Sequence, residues 1–194
     1  MTMLILGLIL FLGVHSVRIV GEGWRSQQIA RLGANGWKGA YTLVSAAGLA
    51  LIIWGYGLAR QEPVVLWQPL PAFVRHIAAL LSLLAFVLLA AAYVPRNGIK
   101  ARLHHPMVLG VKTWALAHLV SNHTLADLLL FGGFLVWSVF SFRAARQRDR
   151  AQGTAYPAGT VLATVLTVVI GVVLWAAFAM WLHGAWIGVK PFGR

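Results

Sequence analysis

Residues 102–127 read RLHHPMVLGVKTWALAHLVSNHTLAD, and the rest of the chain is organised around this stretch. Two adjacent histidines and a proline open it. Because proline fits the first turn of a helix, a helix is expected to begin at Pro106. The residues from 107 to 120 are apolar except for Lys112, Thr113 and His118. The stretch therefore predicts an apolar helix that carries one histidine.

The polar residues of this helix share a face with small and aromatic residues. On a helix that turns about 100° per residue, Gly110, Trp114, His118 and Asn122 lie above one another at i, i+4 spacing. Ionisable groups inside membrane helices are frequently functional. The face can therefore hold a ligand under His118, or His118 can hydrogen-bond to a neighbouring helix.

Composition indicates the broad class of protein. Hydrophobic residues make up 60% of the 194 residues and charged residues 10%, and the mean hydropathy is +0.79. This balance lies far from that of soluble domains and predicts an all-α integral membrane protein, with residues 1–194 forming a single transmembrane domain. The chain has no cysteine, which excludes a disulfide framework, a thiolate metal site and a cysteine nucleophile.

Apolar stretches long enough, or nearly long enough, to cross a bilayer recur along the chain. They predict a bundle of about six transmembrane helices, at residues 2–20, 37–59, 74–94, 106–121, 125–142 and 159–183. The first stretch lacks basic residues before its apolar run and contains His15 and Arg18, so it is expected to be a retained helix and not a signal peptide.

The basic residues indicate the orientation of these helices. They concentrate in the first, third and fifth loops: Arg18, Arg25, Arg31 and Lys38; Arg96, Lys100 and Arg102; Arg143, Arg146, Arg148 and Arg150. Basic loops remain in the cytoplasm, so we expect a multi-pass membrane protein with both termini outside. The net charge of +12 then reflects contact with the lipid bilayer and not with nucleic acid.

Several chemistries lack the residues they need. The predicted spans contain one acid, Asp127, so no carboxylate pair is available for general acid and base catalysis. Neither a dinucleotide-binding glycine turn nor an H-E-x-x-H metalloprotease motif is present. The basic segment 143–159 is expected to be a solvated loop. These absences argue against a hydrolytic enzyme.

Histidines in apolar helices remain as candidates, because neutral imidazole is a ligand of haem iron and helical bundles commonly hold haem. His15, His105 and His118 stand out by position. His76 and His183 lie at the ends of predicted spans, where an interface role is expected.

Four segments carry a resemblance to a known family. They are LFLGVHSVR at 10–18, LGANGWKGAYTLVSAAGLALIIWGYGLAR at 32–60, HHPMVLGVKTWALAHLVSN at 104–122 and LLLFGGFLVW at 128–137. Together they resemble the NnrU family. Its bacterial members are associated with denitrification and nitric oxide metabolism, and it includes the plant 15-cis-zeta-carotene isomerase.

The resemblance implies a polytopic protein of the bacterial inner membrane, and its isomerase branch implies haem b and cis–trans isomerisation of a lipid-soluble polyene. By motif position, the implied haem ligands are His15, His105 and His118. The family pattern has N-G-D after the last histidine, whereas this chain has Asn122-His123-Thr124 and its acid lies at Asp127. A role for the acid at that position is therefore in question here.

Depth in the membrane does not select the same pair of ligands as the family resemblance. His15 and His105 are predicted at similar depth, while His118 lies in the outer half of its span. All three histidines are therefore retained as candidates. Arg18, one turn beyond His15, either reaches the lipid headgroups or pairs with a haem propionate.

Two other functions remain open. The chain can be a non-enzymatic membrane factor that supports assembly or expression of nitric oxide reductase, with denitrification proteins as partners. The segment Arg102–Pro106 followed by Gly110 also resembles the R-H-P-x-Y-x-G region of isoprenylcysteine methyltransferases. The paired glutamates downstream in those enzymes are absent from residues 143–152.

Overall fold

A computed structural model of the chain describes residues 1–68 and 70–192. Over these residues the secondary structure is helical and contains no strand. The helices are α1 Thr2–Val20, α2 Glu22–Ala59, α3 Val74–Tyr93, α4 Gly98–Leu103, α5 Pro106–Ser121, α6 Leu125–Gln152 and α7 Val161–Ala177, then a π-helical turn at Phe178–Leu182 and α8 His183–Ile187. Residues 69, 193 and 194 of the predicted domain 1–194 lie outside the described residues, and the single domain stays a prediction.

Within the described ranges, 5 helical segments are long and apolar enough to cross a membrane. They are Thr2–Val20, Glu22–Ala59, Val74–Tyr93, Leu125–Gln152 and Val161–Ile187. The fold class is therefore confirmed as all-helical with several candidate spans. The fourth predicted span, 106–121, forms α5, whose 16 residues make it shorter than these five segments.

Two helices extend beyond the predicted apolar stretches. Helix α2 begins at Glu22 instead of residue 37 and is interrupted at Gly33, whose φ of 72° breaks the helical path. Helix α6 continues ten residues past the predicted end at 142, to Gln152. Alanine, arginine and glutamine favour helix, so the polar segment extends the apolar one.

The chain divides into two compact units, of which the first comprises residues 1–68 and 122–144. In this unit α1 packs along α2 at backbone contact distance. A Cβ atom added at Gly55 would lie 2.2 Å from the backbone nitrogen of Leu4, and one at Gly48 would lie 2.7 Å from that of Phe11. These glycines therefore allow the approach that brings α2 against the helix carrying His15.

The acid at Asp127 closes the first turn of α6 in the same unit. Its Oδ2 accepts hydrogen bonds from the backbone nitrogen of Thr124 at 3.0 Å and from the Thr124 hydroxyl at 2.6 Å. Its Oδ1 accepts from the hydroxyl of Tyr56 at 2.6 Å. The pattern is that of a capping box. Asp127 thus has a structural role at a helix start.

The second unit comprises residues 69–121 and 145–194. Its core lies where α3 packs against α5 and α7. Small side chains line these contacts, and Ala85, Ala91 and Ala115 are fully buried. A Cβ atom added at Gly171 would lie 2.6 Å from Cα of Val87. The helices therefore approach through small residues, as is common between membrane helices.

One end of this unit is held by side-chain caps. Buried Asn97 accepts from the backbone nitrogen of Lys100 at 2.8 Å and donates to the carbonyls of Ala91 at 2.9 Å and Val94 at 2.6 Å. The backbone nitrogen of Thr160 donates to the carbonyl of Arg96 at 2.8 Å. The segment after α3 is thereby tied to the segment before α7.

Candidate functional site

His15 is held by its own helix. Its Nδ1 lies 2.6 Å from the carbonyl oxygen of Phe11, one turn earlier in α1. A carbonyl oxygen only accepts hydrogen bonds, so Nδ1 carries the ring proton and Nε2 carries the lone pair. This is the tautomer that metal-binding histidines adopt when a carbonyl fixes the other nitrogen. No described residue hydrogen-bonds to Nε2 of His15.

Aromatic rings of the first unit surround His15. Its ring stacks on that of Phe11, with centroids 4.2 Å apart and planes 27° apart. The ring of Tyr41 lies 5.2 Å away, and that of Trp137 lies 6.1 Å away in a T-shaped contact. Phe134 contacts Phe11 at 5.8 Å. The imidazole therefore lies in an apolar, flat-sided environment.

Trp137 has an unsatisfied donor beside His15. Its indole Nε1 is buried and has no hydrogen-bond partner among the described residues. Buried donors are nearly always paired, and leaving one unpaired costs on the order of 1–3 kcal/mol. An acceptor atom outside the described protein is the simplest partner for this donor.

His118 repeats the local geometry of His15 in the second unit. Its Nδ1 lies 2.9 Å from the carbonyl oxygen of Trp114, one turn earlier in α5, and the two rings are 5.1 Å apart. The same reasoning places the ring proton on Nδ1. Trp114 therefore contributes its carbonyl and its ring to His118. Asn122, predicted on the same face, follows the last residue of α5.

His105 is held by a distant carboxylate. Its Nε2 lies 2.8 Å from Oδ2 of Asp149, which also accepts from the hydroxyl of Tyr156 at 3.0 Å. Nε2 is the nitrogen through which histidine usually binds haem iron. In His105 this nitrogen instead donates a hydrogen bond to the Asp149 carboxylate. The Asp149 side chain is only 13% exposed. His105 thus differs from the other two candidates.

The same carboxylate gathers two further side chains. Arg146 lies 3.5 Å from Oδ2 of Asp149 and donates to Nδ1 of His104. The ring of His104 lies 4.1 Å from that of Tyr156. Burial acts to raise the pKa of Asp149, but hydrogen bonds from Tyr156 and His105 and the charge of Arg146 lower that pKa below its usual value. Burial and the Asp149 carboxylate raise the pKa of Tyr156.

The expected solvated loop at 143–159 therefore contains a half-buried polar network. Sequence reasoning missed Arg146, Asp149 and Tyr156 as partners of the histidines. Asp149 is the only acid among residues 143–159, which contain four arginines. This isolated acid was the one sequence feature that could have indicated a partner for the histidines at 104 and 105.

His105 and His118 cannot be two axial ligands of one iron. They are thirteen positions apart. His105 directly precedes α5, and His118 lies in its last turn. At 1.5 Å per residue the separation is about 20 Å. Two Fe–N bonds of about 2 Å each bring two ligand nitrogens within about 4 Å.

Arg18 lies on a solvent-accessible part of α1. Its side chain is 63% exposed, and its Nε lies 3.9 Å from Oε2 of Glu22. Glu22 is bonded more closely by Arg25, at 2.8 Å. The two roles predicted for Arg18, a headgroup anchor and a propionate contact, stay predictions.

No group of three or more histidine, cysteine, aspartate or glutamate side chains able to hold a metal ion occurs within residues 1–68 and 70–192. A haem iron held by one histidine would need no such group.

Comparison with known proteins identifies the family. A family model described as NnrU protein matches residues 3–191. The chain belongs to the NnrU family. No curated protein and no solved structure matches this NnrU-family chain.

Proposed function

We propose that this NnrU-family chain is a multi-pass membrane protein that binds haem b, with His15 as an axial ligand. The observation that carries the proposal is the hydrogen bond from Nδ1 of His15 to the carbonyl of Phe11, which leaves the Nε2 lone pair for iron. His118, held by the carbonyl of Trp114 in the same way, is the second candidate ligand. His105 is not proposed as a ligand, because its Nε2 is bonded to Asp149.

The surroundings of His15 fit a porphyrin. Phe11, Tyr41 and Trp137 supply flat apolar surfaces, and the unpaired Nε1 of Trp137 is available to donate to an acceptor on the cofactor. These side chains would also exclude water. When bound, haem would supply an iron able to act on small ligands or on the double bonds of a conjugated substrate.

The proposed activity is cis–trans isomerisation of a lipid-soluble polyene in the bacterial inner membrane. The family resemblance supports this substrate class, and the apolar helices fit a substrate that reaches the protein through the bilayer. The accessory role in nitric oxide reductase assembly remains the alternative, and it requires no haem.

We further propose six spans with both termini outside. Contacts within the second unit support the number. His105 is bonded to Asp149 and Arg96 to Thr160, so the third and fifth loops meet at one end of that unit. Two loops on one side of a membrane are separated by an even number of spans, which supports a crossing by α5 at a length of about 24 Å.

Reporter fusions test the topology. Fusions after Asn97 and after Arg150 should be cytoplasmic, and a fusion within residues 62–68 should lie outside. Fusions at the two termini should report the same side. Termini on opposite sides would leave five spans and remove α5 from the set.

The absorbance spectrum of the detergent-purified chain tests haem binding. The wild type should show a Soret band and, on reduction, the visible bands of haem b. His118→Ala should reduce or shift the Soret band, whereas His76→Ala, at an exposed position of α3, should not. Haem-free protein from cells with adequate haem supply would contradict the proposal and favour the accessory role.

A further inference from the structure

A cavity of about 230 Å³ lies in the second unit. Residues from α3, α4, the start of α5 and the segment after α6 line it: Ala92, Lys100, His104, His105, Pro106, Met107, Val108 and Tyr156. Pockets for drug-sized ligands have roughly 300–1,000 Å³. This cavity is too small for a polyene and suits a compact group such as a headgroup.

The polar wall of the cavity is rich in donors. The ammonium of Lys100 donates to the carbonyl of Ala92 at 3.1 Å, and no described carboxylate pairs with it. Arg146 donates to Nδ1 of His104, and because guanidinium only donates, the neutral His104 ring carries its proton on Nε2. Lys100 and His104, which both line the cavity, thus each carry an N–H donor.

Asp149 does not line the cavity, but its Oδ2 accepts from His105 and Tyr156 and lies 3.8 Å from Nδ1 of His104. Arg146, at 3.5 Å, balances the charge of this carboxylate. The ammonium of Lys100 is thus left as a positive charge at the cavity. The cavity also meets the first turn of α5, where backbone N–H groups lack partners within the helix. These groups together favour an anionic ligand.

The backbone at His104 is unusual. Its φ of 71° lies in the left-handed region, which residues other than glycine rarely adopt. Such conformations are strained and concentrate at binding sites. The turn places His104 between Arg146 and Tyr156, at the wall of the cavity.

We propose that this cavity binds a phosphate group, with Lys100 and His104 as its principal donors. The apolar side of the cavity, formed by Ala92, Pro106, Met107 and Val108, fits the carbon chain of a phosphate ester. A lipid headgroup and a free phosphate share this chemistry. Asp149 acts as a positioning residue, because it holds His105 and Tyr156 in the wall.

Binding is tested on the purified full-length chain in a neutral detergent, with dioctanoyl phosphatidylglycerol and inorganic phosphate as separate probes. The thermal unfolding midpoint is measured against the concentration of each probe. The wild type should be stabilised in a saturable manner. A response to the lipid alone identifies a headgroup site, whereas an equal response to inorganic phosphate identifies a site for free phosphate.

The variant Lys100→Gln keeps a donor and removes the charge. It should need about tenfold more probe for the same stabilisation, since the variant loses a charge-assisted hydrogen bond. Lys100→Arg should restore binding, and Lys112→Gln, at an exposed lysine of the same unit, should bind as the wild type does. Equal responses of Lys100→Gln and Lys112→Gln would overturn the proposal.

Amide hydrogen exchange in the wild type provides a measurement that needs no variant. Saturating probe should slow exchange at residues 104–108 and leave the first unit unchanged. Unchanged exchange at residues 104–108, or no response of the wild type to either probe, would also overturn the proposal. Neither outcome bears on haem binding at His15.

Discussion

His15 lies in the apolar helix α1, and His105 directly precedes the apolar helix α5. Different ring nitrogens of the two histidines make their hydrogen bonds. His15 donates to a carbonyl one turn away in its own helix, which leaves a lone pair on Nε2. His105 is bonded through Nε2 to Asp149, a carboxylate 44 positions away in the sequence. The first arrangement suits a ligand of a metal, and the second suits a structural or binding network.

Position in the sequence alone does not distinguish a histidine with a lone pair free for a metal from one that is engaged in a hydrogen-bond network. His15, His105 and His118 were equal candidates in the sequence, and their hydrogen bonds separate them. An aromatic residue four positions before the histidine occurs at Phe11 and Trp114, where the ring contacts the imidazole and the carbonyl fixes the tautomer. No aromatic residue stands four positions before His105.

The largest effect is expected from Gly55→Ala, because the His15 region depends on close packing of α1 on α2. The new methyl group would lie 2.2 Å from the Leu4 backbone, which cannot move without displacing α1. We expect a loss of about 3 kcal/mol in the free energy of unfolding. The thermal unfolding midpoint measures it.

Gly57→Ala is the matched control, since a Cβ atom at Gly57 meets nothing within 4 Å. Alanine favours helix over glycine by about 1 kcal/mol, so this variant should be neutral or more stable. Equal destabilisation by the two variants would refute the close packing of α1 on α2.

A smaller loss is expected from Asp149→Asn, which acts on the His105 region alone. The variant removes the charge that accepts from His105, Tyr156 and Arg146, and should cost about 2 kcal/mol. Glu62→Gln makes the same chemical change at an exposed acid and should be neutral. Equal destabilisation by Glu62→Gln and Asp149→Asn would show that the hydrogen bonds accepted by Asp149 make no specific contribution to stability.

Hydropathy predicted much of the fold. The limits of α1 and α5 agree with the predicted stretches 2–20 and 106–121, because apolar runs bounded by glycine, proline or polar residues mark where spans end. The extension of α6 to Gln152 was missed, since hydropathy does not distinguish a polar helix from a polar loop.

The candidate site was predictable only where its contacts are local. The hydrogen bonds of His15 and His118 follow from i, i−4 spacing on a helix. The bond between His105 and Asp149 joins segments that no periodicity links. The sequence therefore named the three histidines but not the partner that separates them.

Lowering the pH should remove the stability that the Asp149 hydrogen bonds contribute before it affects the packing of α1 on α2 at Gly55. The pKa of Asp149 is lowered in the folded chain, so its contribution to stability is present above the usual carboxyl pKa of about 3.9 and is lost as the pH falls through the lowered value. The unfolding midpoint of the wild type should fall more steeply below about pH 4 than that of Asp149→Asn. Parallel curves would exclude this linkage.

The smallest effect is expected from Arg18→Lys, one turn beyond His15. The exposed side chain and its long contact with Glu22 indicate a headgroup anchor, and lysine reaches headgroups equally well. Haem content and reduction potential should therefore stay unchanged in a potentiometric titration. A shifted potential would instead place Arg18 at a haem propionate, where lysine cannot replace the bidentate guanidinium.

The central claim is that the hydrogen bonding of the ring nitrogens decides which histidine binds haem. The most direct measurement is the haem-to-protein ratio of purified His15→Ala and His105→Ala, compared with the wild type. We predict that His15→Ala loses its haem or its native spectrum, while His105→Ala keeps both. Loss of haem in His105→Ala with full retention in His15→Ala would contradict the claim.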